Sequence, residues 1–280
     1  MRKQILFCAA LLLLSILSSV SVVAQDVIPQ PNNISYSKGY FTLNKGLKAV
    51  TNLTGQDFKV LNQFTSDDMD MPLISMKKPS KAYNVRLICT GTALQATQAQ
   101  DSARLQGYEL EVSPKSITIQ SLTPTGLFYG LLTLAQLEKG RQIPCVKVKD
   151  TPRFPYRGLM IDCSRHFWTK KFIMKQLDAM AYFKLNRFHW HLTDGGGWRM
   201  EVKQYPRLTN ETAYRTQSDW VKWWMEKDRK YCPVGTPGAY GGYYTQQDIK
   251  DIVRYAAARH ITVIPEIEMP GHSDEVVYAY

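Results

Sequence analysis

His189 and His191 lie two apart, and Asp194, three glycines, Trp198 and Arg199 follow within eight residues. On a strand, residues two apart share a face, so this run places two imidazoles and a carboxylate at one end of one element. Such groups can move protons or hold a metal ion. Two further runs have the same character, Asp162-Cys-Ser-Arg165-His166 and Glu266-Ile-Glu268-Met-Pro-Gly-His272. Glycines 195 to 197 allow the backbone to turn sharply and a ligand to approach closely. Trp198 offers a flat apolar face to the C–H side of a sugar ring, and core packing is the alternative for both Trp190 and Trp198.

Each of these runs closes an expected strand. Residues 157–162 and 186–193 read as strands, and Ile261 to Ile264 begins a third. Between them, residues 169–184 form a helical pattern with Ile173, Leu177 and Met180 on one face. A second helix opens at Thr245 with a Thr-x-x-Asp capping box and carries Ile249, Ile252, Val253 and Ala256. Near-continuous apolar strands alternating with helices imply parallel βα units, and polar groups at strand C-termini are where a βα barrel places its chemistry. The fold class is therefore α/β, a partial (β/α)8 TIM barrel holding the first three strands of eight. Eight units need roughly 250 residues, whereas 130 follow Asp150.

Residues 25–150 read as a small α+β domain with an antiparallel sheet. Tyr108, Leu110 and Val112 alternate with Glu109 and Glu111, Ser113 to Ser116 turns the chain, and Ile117 to Gln120 alternates again. A helical pattern runs from Gly126 to Leu137. Two prolines in Thr151-Pro-Arg-Phe-Pro155 mark the boundary, so residues 151–280 form the barrel part. The link of about fifty residues from Asp194 to Tyr244 far exceeds the ~2–6 usual for such a connection. It carries Trp220, Trp223, Trp224, Tyr231, Tyr240, Tyr243 and Tyr244, a density that suits either a carbohydrate subsite or packing against a partner domain.

With 44% hydrophobic and 21% charged residues, the chain can build a core, which excludes disorder and fibrous classes. The net charge of +11 is dispersed rather than gathered in a stripe, which argues against a nucleic-acid partner. Residues 1–24 read as a secretory signal peptide: Arg2 and Lys3, an apolar run from Ile5 to Leu17, then Ser21-Val-Val-Ala24. The expected location is periplasmic or extracellular, with no membrane contact after cleavage. Cys89, Cys145, Cys163 and Cys232 remain, with no metal-ligand spacing; they read mostly as buried small hydrophobes, and their pairing stays open.

Tyr156-Arg-Gly-Leu-Met-Ile-Asp-Cys-Ser-Arg-His-Phe167, His189-Trp-His-Leu-Thr-Asp194 with Gly-Trp-Arg199, and Pro265-Glu-Ile-Glu-Met-Pro-Gly-His272 together resemble the β-N-acetylhexosaminidases, family 20 of the glycoside hydrolases. Gly107-Tyr-x-Leu-x-Val, Gly126-Leu-Phe-Tyr-Gly130 and Asp150-x-Pro-Arg-Phe154 resemble that family's N-terminal domain. The resemblance implies a retaining exo-glycosidase that removes terminal N-acetylglucosamine or N-acetylgalactosamine without a cofactor or metal. In it, the substrate's own acetamido oxygen attacks the anomeric carbon. Carried over by motif, Arg157 would grip the sugar hydroxyls, while Asp194 and His272 would surround the acid/base glutamate and help to set its pKa. The family often has an acid or amide where Gly195 stands, and an Asp where Glu268 stands.

The family's catalytic Asp-Glu pair follows a later strand, so the 280-residue chain is expected to be inactive alone. Asp274-Glu275 is not a substitute: after Ser273, two acids read as the capped, dipole-complementing first turn of a helix. Two other readings stay open. One is a metal-dependent barrel hydrolase built on His189, His191, Asp194, Glu266 and His272. The other is a non-catalytic glycan-binding protein.

Overall fold

The computed structural model describes residues 27–227 and 229–280; the proposed signal peptide lies outside them. The first domain is a seven-stranded sheet with helices on one side. Its strands are β1 (Asn33–Thr42), β2 (Ala49–Thr51), β3 (Leu73–Ser75), β4 (Val85–Cys89), β5 (Tyr108–Val112), β6 (Ile117–Ser121) and β7 (Gln142–Asp150), in the order β1-β7-β5-β6-β4-β2-β3. The hairpin expected from alternation is β5–β6, with Leu110 opposite Ile119. From β1 to β6 in this order the neighbours are antiparallel, while β6, β4, β2 and β3 run parallel. Helix α1 (Gly55–Met69) makes the crossover from β2 to β3. Three-residue strands such as Ala-Val-Thr are too short to show a period-two pattern, so β2 and β3 had no sequence signature.

Helix α2 (Ala93–Thr97) is one short turn, whereas α3 (Pro124–Leu137) is the spine of the molecule. Thr123 caps α3 by accepting from Gly126 N at 3.2 Å. Every residue of α3 but Ala135 is buried, as expected of a helix covered on all sides. Small residues bring it onto the sheet: a Cβ on Gly130 would stand 2.5 Å from Ile119, and one on Gly126 would stand 2.0 Å from the Ser121 hydroxyl.

Three parallel strands follow, β8 (Gly158–Asp162), β9 (Arg187–His191) and β13 (Thr262–Glu266), in the order β13-β9-β8. Helices α4 (Lys170–Tyr182) and α7 (Gln246–Ala257) cover one face. Thr169 caps α4, and the Thr245–Asp248 box caps α7 as the sequence predicts. Phe188 and Trp190 point toward these helices and are fully buried, which settles Trp190 as a core aromatic. Between β9 and α7 lie α5 (Arg207–Asn210), α6 (Trp220–Met225) and a small sheet of β10 (Tyr214–Arg215), β11 (Tyr231–Cys232) and β12 (Tyr240–Gly241). A last helix, α8 (Asp274–Ala279), ends the chain.

One apolar cluster runs from Val27 through α3 to Ile261, joining both domains. All four described cysteines are free thiols, three of them buried. Among the described residues no helix is long and apolar enough to cross a membrane.

Candidate active site

Parallel register builds the site. Asp162 pairs with His191 and His191 with Glu266, so the last residues of β8, β9 and β13 form one row across the C-terminal edge. His189 lies two residues back on the same face and reaches the same carboxylate, 2.5 Å from Glu266 Oε2. His191 bridges two acids: its Nδ1 donates to Glu266 Oε2 at 2.7 Å and its Nε2 to Asp194 Oδ2 at 3.2 Å. The bond to Asp194, helped by Glu266 and opposed by burial, pushes the His191 pKa up to about 9, so it is an imidazolium at neutral pH.

Asp194 is the hub. Its side chain is 4% exposed and accepts from the Gly195 amide at 2.7 Å, from Arg165 Nη2 at 2.5 Å and from His272 Nδ1 at 3.3 Å. Burial favours its protonated form, but His191, Arg165, His272 and the Gly195 amide outweigh it and hold the carboxyl below the usual aspartate range. Arg165 also donates to Asp162 Oδ2 at 2.7 Å, and Asp162 Oδ1 accepts the Ser164 and Arg165 amides. That guanidinium is thus fixed at the mouth between two acids, with a planar fork suited to sugar hydroxyls.

The glycine run is a packing device. A Cβ on Gly196 would lie 2.9 Å from the Arg165 Cα and from Ser164 O, so the turn after β9 rests directly on the turn after β8. Fully buried Arg199 ties both turns together, donating to the carbonyls of Cys163, Ser164, Gly196, Ala213 and Gly242. Arg215 adds bonds to Gly196 O and Arg165 O, its guanidinium under Trp220, Trp223 and Tyr240. The aromatic connection is therefore mainly an internal brace. Trp223, Tyr231 and Tyr244 are buried in it, and Trp224 reaches the surface with Arg229 over its ring.

Two expected sugar contacts lie elsewhere. Arg157 precedes β8, five residues and roughly 16 Å of strand from Asp162, at the edge facing the first domain. Its Nε donates to Lys184 O at 2.7 Å, its Nη1 to Phe154 O at 2.6 Å, and its guanidinium lies over the Tyr129 ring of α3. Arg157 is an interdomain residue; Arg165, eight residues later, supplies the guanidinium of the site. Trp198 is 3% exposed, packs with Leu208 and Ala279, and donates to Met200 O. It cannot present a face to a sugar. Asp194 and His272 do meet, and His272 is 61% exposed at the rim.

The atoms of His191, Glu266 and Glu268 that could ligate a metal lie within 4.8 Å of one another. His191 donates from both of its ring nitrogens to the neighbouring carboxylates, and the adjacent Glu266 raises the Glu268 pKa. A further difference concerns α8. Ser273 does not cap it, since its hydroxyl donates to Glu268 O and Gly271 O, and Glu275 is turned inward and fully buried.

Comparison with known proteins fits this geometry. The profile for glycosyl hydrolase family 20, catalytic domain, matches residues 154–280, and that for family 20, domain 2, matches residues 24–151. A β-hexosaminidase of Porphyromonas gingivalis is 36% identical over 272 residues, which is 91% of this chain and 31% of that protein. Among solved structures, a GH20 exo-β-N-acetylglucosaminidase from Vibrio harveyi in complex with N-acetylglucosamine superposes with a TM-score of 0.71 at 31% identity. The match covers 91% of this chain and 38% of that one. A β-N-acetylhexosaminidase from Bacteroides fragilis gives a TM-score of 0.72 at 28% identity, over 91% and 47% of the two chains. The chain belongs to glycosyl hydrolase family 20. It spans about a third of the length of the curated relatives it matches.

Proposed function

We propose that the protein is a β-N-acetylhexosaminidase that hydrolyses terminal N-acetylglucosamine or N-acetylgalactosamine with retention, the substrate's acetamido oxygen serving as nucleophile. The observation that carries this reading is the convergence of Arg165, Asp194 and His272 from three strand tips. A guanidinium anchors the sugar hydroxyls, and an ionised aspartate flanked by two imidazoles tunes proton transfer beside it. Family membership points the same way, since relatives are named β-hexosaminidase and one structure holds N-acetylglucosamine.

Leu159 and Met160 of β8 are exposed, which supports the reading that turnover needs more of a barrel than these three strands. Export through residues 1–24 is part of the same reading; cleavage after Ala24 is checked by N-terminal sequencing of protein recovered outside the cytoplasm.

The test uses a form of the protein that carries a closed barrel. It should release 4-nitrophenol from the β-N-acetylglucosaminide but not from the β-glucoside, which lacks the acetamido group. Proton NMR should show the β-anomer as first product. Equal turnover of both substrates, or an α-anomer, sinks the mechanism. Binding without turnover favours the glycan-binding reading, and turnover abolished by a chelator favours the metal-dependent one.

A further inference from the structure

Glu275, a buried acid that the site does not use, lies in the wall behind Asp194. It sits in the first turn of α8 with 0% exposure, and neither carboxyl oxygen has a hydrogen-bond partner among the described residues. A Cβ on Gly195 would stand 2.9 Å from Asp274 Oδ2 and 3.6 Å from the Trp224 ring. The turn carrying Asp194 and the turn opening α8 are thus packed on each other. Tyr231 of β11 closes the third side and donates to Gly195 O at 2.8 Å.

The charged and titratable groups facing Glu275 are Asp194 from the β9 turn, Asp274 from its own helix, Arg199 beneath the glycines and Tyr231 from the small sheet. Arg199 cannot serve as its counter-ion by contact, because its guanidinium is committed to five backbone carbonyls. Arg229 is turned toward Asp274, 3.5 Å away. A carboxylate at position 275 would be a buried charge without a bonded partner and with two acids repelling it; a neutral carboxyl avoids that cost. Burial, reinforced by Asp194 and Asp274 and opposed by its own backbone amide and Arg199, pushes the Glu275 pKa up to about 7.

We propose that Glu275 is a positioning residue that works as a neutral acid: protonated, it lets the Asp194 turn seat against α8, and on ionising it drives that turn out of place and weakens the site at the three strand tips. The catalytic consequence rests on the hexosaminidase reading. The structural consequence does not, so the two can be separated.

Both are measured in a form carrying a closed barrel. In the wild type, the native state holds a proton that the unfolded chain releases. The Glu275 contribution, read as the wild-type Tm minus the Glu275→Gln Tm at each pH, should therefore fall by several degrees as pH rises from about 4.5 through about 7, and kcat/KM on an aryl N-acetylglucosaminide should fall about tenfold per pH unit above 7. Glu275→Gln, neutral and nearly isosteric, should remove that part of the Tm slope and move the alkaline limb of kcat/KM up by about a pH unit. Glu275→Leu is the second neutral variant if the first does not fold. A uniform loss of Tm with unchanged pH dependence, as a purely structural residue would give, overturns the proposal. Loss of the Tm slope in a protein without turnover overturns the hexosaminidase reading and leaves the structural role of Glu275 standing. Should neither variant fold, carbon-13 NMR of glutamate-labelled wild type decides: the absence of a carboxyl titrating near pH 7 overturns the proposal.

Discussion

Arg157 and Arg165 flank one five-residue strand, and the second is the one that reaches Asp194. The two substitutions should therefore differ in what they do to the folded protein. Arg165→Ala removes charge-assisted bonds at the mouth and should lower kcat/KM by roughly 10- to 100-fold even in the folded fraction, together with a loss of Tm because buried Asp194 loses a bonded cation. Arg157→Ala strips donors from the Lys184 and Phe154 carbonyls and the cation from the Tyr129 ring, and should cost about 1–3 kcal/mol of stability with kcat/KM unchanged in the folded fraction; the reverse pattern would restore the motif-based assignment. The neighbouring histidine gives a spectroscopic check. His191 owes its raised pKa first to Asp194, so Asp194→Asn should bring its NMR titration midpoint down from about 9 toward the ordinary ~6.5. In the wild type, the stability linked to His191 is fully present below ~6.5 and is lost as pH rises through about 9.

At the scale of elements, register does most of the positioning. Asp162, His191 and Glu266 meet because three parallel strands end level, and this was legible from the sequence, where each strand pattern runs into a polar cluster. The direction of the strand was legible too: Arg165 follows its C-terminal end whereas Arg157 precedes its start, so polarity alone distinguished them where motif matching did not. Burial of Trp198 had no such signal, because it depends on Leu208 of α5 and Ala279 of α8 arriving from distant sequence. The inward turn of Glu275 was hidden for the same reason, since Ser273 and two acids are locally a good helix start. Trp198→Ala should therefore behave as a core deletion, costing about 3–5 kcal/mol in denaturant unfolding, while sugar affinity per folded molecule stays the same. A selective loss of affinity at full stability would return Trp198 to the binding face.

At the scale of the whole molecule, the two domains are keyed together by polar groups on the edge opposite the site. Lys184 Nζ enters the first domain, donating to Thr133 at 2.7 Å and Tyr108 at 2.9 Å, with Asp150 at 3.4 Å. Arg187 holds Gln100 and Asp101, and Asn186 donates to Gln106 Oε1 at 3.4 Å. His260, in the turn between α7 and β13, packs on Phe128 of α3 with its Nδ1 3.1 Å from the Thr125 hydroxyl and its Nε2 buried without a hydrogen-bond partner among the described residues. Burial pushes the His260 pKa down to about 4. The imidazole is thus neutral in the native state at pH values where the unfolded chain is protonated. The unfolded state then binds the extra proton, so stability falls as pH drops from about 6.5 to about 4. That loss is on the order of 3 kcal/mol. His260→Phe keeps an aromatic ring against Phe128 and has nothing to protonate. Relative to the wild type it should gain Tm progressively as pH drops from about 6.5 to about 4, while the region above pH 7 stays nearly unchanged. Because the interface faces away from Asp194, the pH profile of sugar binding in the folded protein should not follow. An acid limb unchanged in His260→Phe would shift its origin from this interface to the carboxylates at the strand tips.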